Sequence, residues 1–178
     1  MILMMGIAGS GKGTQGAKLA EQYGLTVISM GDAIKANLTD DQRQAILAGH
    51  LLNDQETIII LDKVLSELSD QDKVILDGFP RTQPQAEWLL EQAKTGRFTI
   101  DHIIHLVASQ DAVLARLLNR ARTDDTEEAI KKRFKWYHDS TEPILSWFAD
   151  HDLTVSDINA EQSVEAVTAD LVKLLANA

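Results

Sequence analysis

The sequence predicts an α/β fold, a five-stranded parallel sheet flanked by helices. Three observations lead there. Short β-type runs alternate with helical patterns along the whole chain. Most of those runs are apolar throughout, as strands covered on both faces are. The 178 residues, 44% hydrophobic and 25% charged, suit a single domain with a sizeable core. The expected strands are Ile2–Met5, Thr26–Ser29, Lys73–Leu76, His102–Val107 and Leu153–Ser156.

The helices between them have recognisable ends. Lys12–Tyr23 stops at Gly24, the residue type that best tolerates a left-handed cap. Asn53 with Glu56 forms a capping-box signal ahead of Ile58, Leu61, Leu65 and Leu68, an apolar stripe at helical spacing. Asp125 with Glu128 gives the same signal before Ile130–Tyr137, and Val164, Val167, Leu171 and Leu174 mark a last helix. Two segments leave this pattern. Met30–Leu52 holds a small helix, with Thr39 and Gln42 as its cap and Gly49 as its stop. Arg120–Asp125 is a polar, charged turn between two helices. The expected organisation is one domain, 1–178, with a core of 1–29, 53–119 and 126–178, a segment at 30–52 and a short turn at 120–125.

Composition removes several function classes. The chain has no cysteine, which excludes thiolate zinc sites and thiol nucleophiles. A formal net charge of -10 argues against non-specific nucleic-acid binding, which needs a basic face. The longest apolar runs, Met1–Met5 and Thr57–Leu61, are far too short to span a bilayer. No basic residue precedes the N-terminal apolar run, so a secretory signal is not expected and the protein is read as cytoplasmic.

The strongest chemical signal is Gly6-Ile7-Ala8-Gly9-Ser10-Gly11-Lys12-Gly13-Thr14, which follows an apolar strand and opens a helix. Its glycines let backbone N–H groups turn inward on a phosphate, the helix N-terminus adds a favourable dipole, and Lys12 adds a positive charge. The spacing is that of a P-loop, with Gly13 in the usual Ser/Thr position and Thr14 one residue later, placed to reach a metal or a phosphate oxygen. The plain alternative is a glycine-rich turn without a ligand; the strand before it and helix after it argue against that. Val74-Ile75-Leu76-Asp77 supplies a second piece, because strand C-termini of a parallel sheet face the ligand crevice. Asp77 there suits magnesium held through water, its alternative being a turn-forming Asp before Gly78.

The loop Gly6–Thr14 with Gln15, then Ser29-Met30-Gly31-Asp32, then Asp77-Gly78-Phe79-Pro80-Arg81-Thr82-Gln83-Pro84-Gln85-Ala86, together resemble the adenylate kinase family. So do Arg116-Leu117-Leu118-Asn119-Arg120 and Asp124-Asp125-Thr126-Glu127-Glu128 leading to Arg133, Tyr137, Thr141 and Pro143. The resemblance runs in order over nearly the whole chain. It implies a P-loop nucleoside monophosphate kinase that moves the terminal phosphoryl of Mg-ATP reversibly to a monophosphate, AMP first among them, giving two diphosphates. By that resemblance Gly9, Ser10, Gly11, Lys12, Gly13, Thr14, Arg116 and Arg120 bind ATP, and Asp77 and Thr14 serve magnesium. Met30, Lys35, Leu52, Gly78, Arg81, Gln85, Arg122 and Arg133 match the acceptor site, and Lys12, Arg81, Arg120, Arg122 and Arg133 are the catalytic set. Segment 30–52 becomes the monophosphate-binding segment and 120–125 a minimal lid. The partners implied are small-molecule substrates for a monomer, with no nucleic acid and no membrane.

Physical reasons point the same way. Phosphoryl transfer is positioning plus charge neutralisation, and arginine's planar fork suits phosphate. Of the seven arginines, 81, 116, 120, 122 and 133 fall on matched positions. Surface ion pairing with Asp124, Asp125 and Glu128 is the alternative for any one of them. Gln85 has two readings, reader of the adenine edge or capping-box partner of Thr82, and Asp32 is either a helix N-cap or a site residue. Phe134, Trp136, Tyr137, Trp147 and Phe148 read as packing, and the five histidines show no metal-ligand spacing.

The sequence also departs from the family pattern. Met30 stands in place of a threonine, Lys35 in place of an arginine, and Ala8 in place of a proline. Only Ala121 separates Arg120 from Arg122, where the family carries a longer loop, sometimes with zinc; without cysteine no zinc is expected. So short a lid is expected to exclude water incompletely and to lose some ATP to hydrolysis. The alternatives kept open are a UMP/CMP kinase, an ATPase, and a catalytically weak nucleotide-binding module.

Overall fold

The computed structural model describes residues 1–47, 52–120 and 126–176, and of 45–47, 119 and 120 the backbone. Gly49, Arg122 and Asp125, and with them most of the expected lid, lie outside the described residues. The strands are β1 (Ile2–Met5), β2 (Thr26–Ser29), β3 (Val74–Asp77), β4 (His102–Val107) and β5 (Val155–Asn159). They form one sheet in the order β2-β3-β1-β4-β5, and every neighbouring pair is parallel. The expected fold class is the one observed. The helices are α1 (Lys12–Tyr23), α2 (Met30–Asn37), α3 (Asp40–Leu47), α4 (Asp54–Ser66), α5 (Gln83–Lys94), α6 (Gln110–Arg120), α7 (Glu127–Trp136), α8 (Glu142–Ala149) and α9 (Val164–Ala176), with a π-helical turn, Tyr137–Thr141, joining α7 to α8.

The uniformly apolar strands are explained by burial on both faces. Leu3 and Met5 of β1 join Leu61 and Leu65 of α4, Leu89 of α5 and Phe148 of α8 in the larger cluster. Ile2 and Met4, pointing the other way, join Leu19 of α1 with Val167 and Leu171 of α9. A third cluster, Ile7, Val113, Leu117, Ile130, Phe134 and Tyr137, ties the loop after β1 to α6, α7 and the π turn. The glycine-rich loop is therefore backed by packed apolar side chains.

Local sequence chemistry sets most of the ends. Gly24 closes α1 at φ 67, and its N–H donates to the Ala20 carbonyl. Asn53 and Glu56 form the expected reciprocal capping box, with both hydrogen bonds at 2.9 Å. Thr39 and Gln42 exchange bonds in the same sense at the start of α3, the Thr39 N–H donating to Gln42 Oε1 and the Gln42 N–H to Thr39 Oγ1.

Five details differ from the sequence expectation. The 30–52 segment carries two helices, α2 and α3, because Ser29 starts one by accepting from the Asp32 N–H. Ser29, not Asp32, is thus the cap of α2. Thr126, not Asp125, caps α7, its Oγ1 accepting from the Ala129 N–H at 3.2 Å. β3 runs one residue later than the apolar run suggests and includes Asp77. β5 begins at Val155 rather than Leu153: Leu153 packs on the large cluster from the preceding loop, while the edge strand pairs only with β4 and keeps polar residues. Among the described residues no helix is long and apolar enough to cross a membrane.

Replacing Asn53 by Ala removes one side of the α4 capping box. It is expected to cost about 1 kcal/mol, seen as a lower urea midpoint at unchanged slope; an unchanged midpoint would show that the box does not hold the helix.

Candidate active site

The parallel pairing of β1 with β3 sets Met4 opposite Asp77, so the loops leaving both strands emerge side by side at the C-terminal edge. From β1 comes the glycine loop. Gly9 (φ 88) and Gly11 (φ 105) adopt the left-handed conformation, and a Cβ on Gly9 would lie 2.9 Å from Leu117. Gly11 starts α1 with no side-chain cap and no acidic residue in the first turn, so the helix end keeps its affinity for an anion. Lys12 folds its Nζ over the loop, donating to the Gly6 carbonyl at 2.7 Å and the Ile7 carbonyl at 3.0 Å. Ser10 is buried, and its Oγ is the one such side-chain atom without a hydrogen-bond partner among the described residues. Thr14 is exposed on the first turn of α1.

Asp77 faces this loop: a Cβ on Gly13 would stand 3.7 Å from Asp77 Oδ2. Burial pushes the Asp77 carboxyl above the ordinary aspartate value, the charges of Lys12 and Arg81 pull it back, and Asp32 pushes it further up. Asp32 therefore belongs to the electrostatic surroundings of Asp77. The sequence left its role open, and only the pairing of β2 with β3, which sets Ser29 opposite Asp77, brings it there. A desolvated carboxylate beside an uncapped phosphate cradle with an orphan hydroxyl suits a magnesium ion bound with a polyphosphate. Among the described residues no group of three or more His, Asp or Glu side chains forms a protein-only metal cage. An ion held mostly through water and phosphate oxygens needs none.

Arg81 is held from several directions. Its N–H donates to Gln85 Oε1 at 2.9 Å, its carbonyl accepts from Thr141 Oγ1 at 3.0 Å, and its Nε donates to the Gly78 carbonyl at 2.7 Å. Gly78 (φ 83) gives it room, since a Cβ there would be 2.9 Å from Nη2. The side chain keeps solvent access, yet the crevice walls crowd the guanidinium. Desolvation lowers its pKa from the ordinary arginine value, Asp77 opposes that, and Arg133 adds to it. Arg133, on α7, is thus close enough for its charge to be felt.

Gln85 is buried, and its Nε2 donates to Asp54 Oδ1 at 2.8 Å, which also accepts from Thr82 Oγ1 at 2.7 Å. The capping-box reading of Gln85 is corrected. Thr82 caps nothing with its side chain, and Gln85 bonds the N–H of Arg81, one residue earlier than that motif requires.

The other matched positions have the following surroundings. Lys35 is exposed and pairs with Asp32 at 3.8 Å. Met30 is 1% exposed within the large cluster, against which Leu52 also packs. Arg116 is half-buried on α6, and its charge helps lower the pKa of Glu161, which mainly accepts the Ser109 N–H. For Arg120 the structure gives the backbone at the end of α6. His105 bridges β5 and the π turn: Nδ1 bonds Asp157 Oδ1 and Nε2 bonds the Tyr137 hydroxyl, both at 2.8 Å. Since a carboxylate only accepts, Nδ1 carries the hydrogen, and Tyr137, whose phenol burial pushes up in pKa, donates to Nε2. The aromatic residues read as packing do pack, except Trp136, which is 38% exposed and lies 6.0 Å from the Arg81 guanidinium.

A family model described as adenylate kinase matches residues 4–153. The chain is 35% identical to an adenylate kinase of Corynebacterium glutamicum (strain R) over 180 aligned positions covering 98% of each chain. It is 36% identical to an adenylate kinase of Mycolicibacterium paratuberculosis, with 93% of this chain and 94% of that one covered. An adenylate kinase of Bacteroides thetaiotaomicron is 34% identical, with 96% and 95% covered.

The raised pKa of Asp77 has a stability consequence. The unfolded chain loses this proton at lower pH than the folded one, so the native state binds more protons in between and stability falls as pH rises through that window. Without nucleotide or magnesium, Asp77→Asn is expected to melt above the parent protein at neutral pH. The gap should close as pH falls to about 4, where the unfolded-state carboxyl also takes up its proton. A gap independent of pH would contradict the burial of a charged carboxylate.

Proposed function

The chain belongs to the adenylate kinase family, and from that premise we infer that it transfers the terminal phosphoryl group of ATP to AMP, giving two ADP, in the crevice at the C-terminal ends of β1 and β3. The observation that supports this reading best is that the charges of Lys12, from the glycine loop, and Arg81, from the turn after β3, both act on the single carboxylate of Asp77. One loop suits the donor's phosphates and the other the acceptor's.

An oxygen of the acceptor phosphate attacks the terminal phosphorus as the bond to the departing ADP's bridging oxygen breaks. No general base is needed, because a phosphate monoester already offers an ionised oxygen. The amides of Gly9–Thr14 and the Lys12 ammonium hold and neutralise the ATP phosphates, with Arg116 and Arg120 completing the donor site. Magnesium, bound with ATP, supplies further neutralisation of the phosphate oxygens, and Asp77 and Thr14 are the residues that would hold it. Arg81 and Arg133 orient the acceptor phosphate, while Arg120 and Arg122 stabilise charge on the transferring group as the short lid closes. Met30, Lys35, Leu52 and Gly78 complete the acceptor side. Beyond its bonds to Arg81 and Asp54, Gln85 keeps a second lone pair on Oε1 and a second hydrogen on Nε2, the two functions an adenine edge requires. The protein works as a cytoplasmic monomer on small-molecule substrates, without zinc, nucleic acid or membrane.

Product analysis tests the reading. The pure protein receives Mg-ATP with AMP, GMP, CMP, UMP or no acceptor. ADP is expected to form fastest with AMP, and slowly without acceptor because the lid is short. Faster transfer to a pyrimidine monophosphate would overturn the AMP reading, and ADP with free phosphate at one rate in every tube would mean an ATPase. Arg120→Ala is expected to lower transfer by roughly two to three orders of magnitude at an unchanged melting temperature; near-normal turnover would refute the role given to Arg120.

A further inference from the structure

We propose that Trp136 is a positioning residue for Arg81: its indole face holds the guanidinium in the crevice, ready for the acceptor phosphate. The inference rests on the reading of Arg81 as the acceptor-phosphate arginine. The Arg81 side chain keeps solvent access, so its fork is ordered by the contacts it makes. Its bonds to Gln85 and Thr141 fix its backbone, and the bond from Nε to the Gly78 carbonyl fixes the near end of the fork. The guanidinium carbon stands 6.0 Å from the centroid of the Trp136 ring.

The kind of contact matters. A carboxylate in that place would take N–H donors that the phosphate needs and would cancel the charge. An aromatic face attracts the cation and uses none of its donors. Packing does not account for this residue: Trp136 is 38% exposed and belongs to none of the three apolar clusters, unlike Phe134 and Tyr137 beside it. Arg133 and Trp136 are three residues apart near the end of α7 and so neighbours on its surface. One helix end therefore delivers both a second phosphate-binding cation and the restraint on the first. Holding the fork ready before the acceptor arrives lowers the ordering cost of binding.

The test is a double-mutant cycle read in the KM for AMP at saturating Mg-ATP, with the KM for ATP measured alongside. Trp136→Ala is expected to raise the AMP KM by roughly two- to fivefold, leaving the ATP KM and melting temperature unchanged, and Trp136→Phe to recover most of the loss. In an Arg81→Ala background, Trp136→Ala should add nothing. The proposal is overturned if the two losses multiply, if Phe behaves like Ala, or if the KM values for both substrates shift together. An Arg81→Ala enzyme with the parental AMP KM would instead overturn the acceptor role of Arg81, and with it the purpose assigned to Trp136.

Discussion

Parallel pairing of β1 with β3 is the constraint on which the rest of the site depends. It is a backbone arrangement, set deep in the sheet by strands buried on both faces. It puts two chain reversals beside each other at one edge: a glycine loop that can wrap a phosphate, and the Asp77–Arg81 turn that brings a carboxylate and a guanidinium to the same place. A slip of that register would move Asp77 away from Gly13 and leave Lys12 and Arg81 without a common counter-charge. The apolar cluster beneath the loop resists such a slip, because Ile7 is locked among α6, α7 and the π turn.

Electrostatics then follow from concentration rather than from net charge. In a chain with a formal charge of -10, Lys12 and Arg81 act on the one half-buried carboxylate of Asp77, and Arg133 acts on Arg81. Two of these groups are poorly placed by themselves: burial pushes Asp77 toward its neutral form, and the crowding crevice walls and the charge of Arg133 weigh against the Arg81 guanidinium. Such settings cost stability, and they persist because neighbours over-determine them. The anchors on Arg81, from Gln85, Thr141, Gly78 and Trp136, come from two separate stretches of chain, 78–85 and 136–141.

Legibility in the sequence divides along the same line. The glycine loop, Lys12, Asp77 and the α4 capping box could be read because each is a local pattern whose physical job is done within a few residues. The sheet could be read because burial on both faces leaves its strands uniformly apolar. β5 starts two residues and ends three residues later than expected because an edge strand loses that signal and Leu153 carries it in a loop. Asp32 beside Asp77 and Trp136 beside Arg81 could not be read. Both depend on elements far apart in sequence, and an exposed Trp at a helix end looks like any other aromatic in an amphipathic stretch. Gln85 shows a further limit: its spacing from Thr82 matches a capping box, but the fold offers it the Arg81 N–H instead.

The account holds that two phosphate sites face each other across one crevice. One molecule joining two adenosines through five phosphates tests this most directly, because it can fill both sites at once. Calorimetric titration in magnesium should show one such molecule per chain, competing with both ATP and AMP and binding at least about a hundredfold more tightly than either, as linked ligands do when geometry permits. Affinity no better than that of ATP, with competition against ATP alone, would mean that the arginine cluster does not form a second phosphate site.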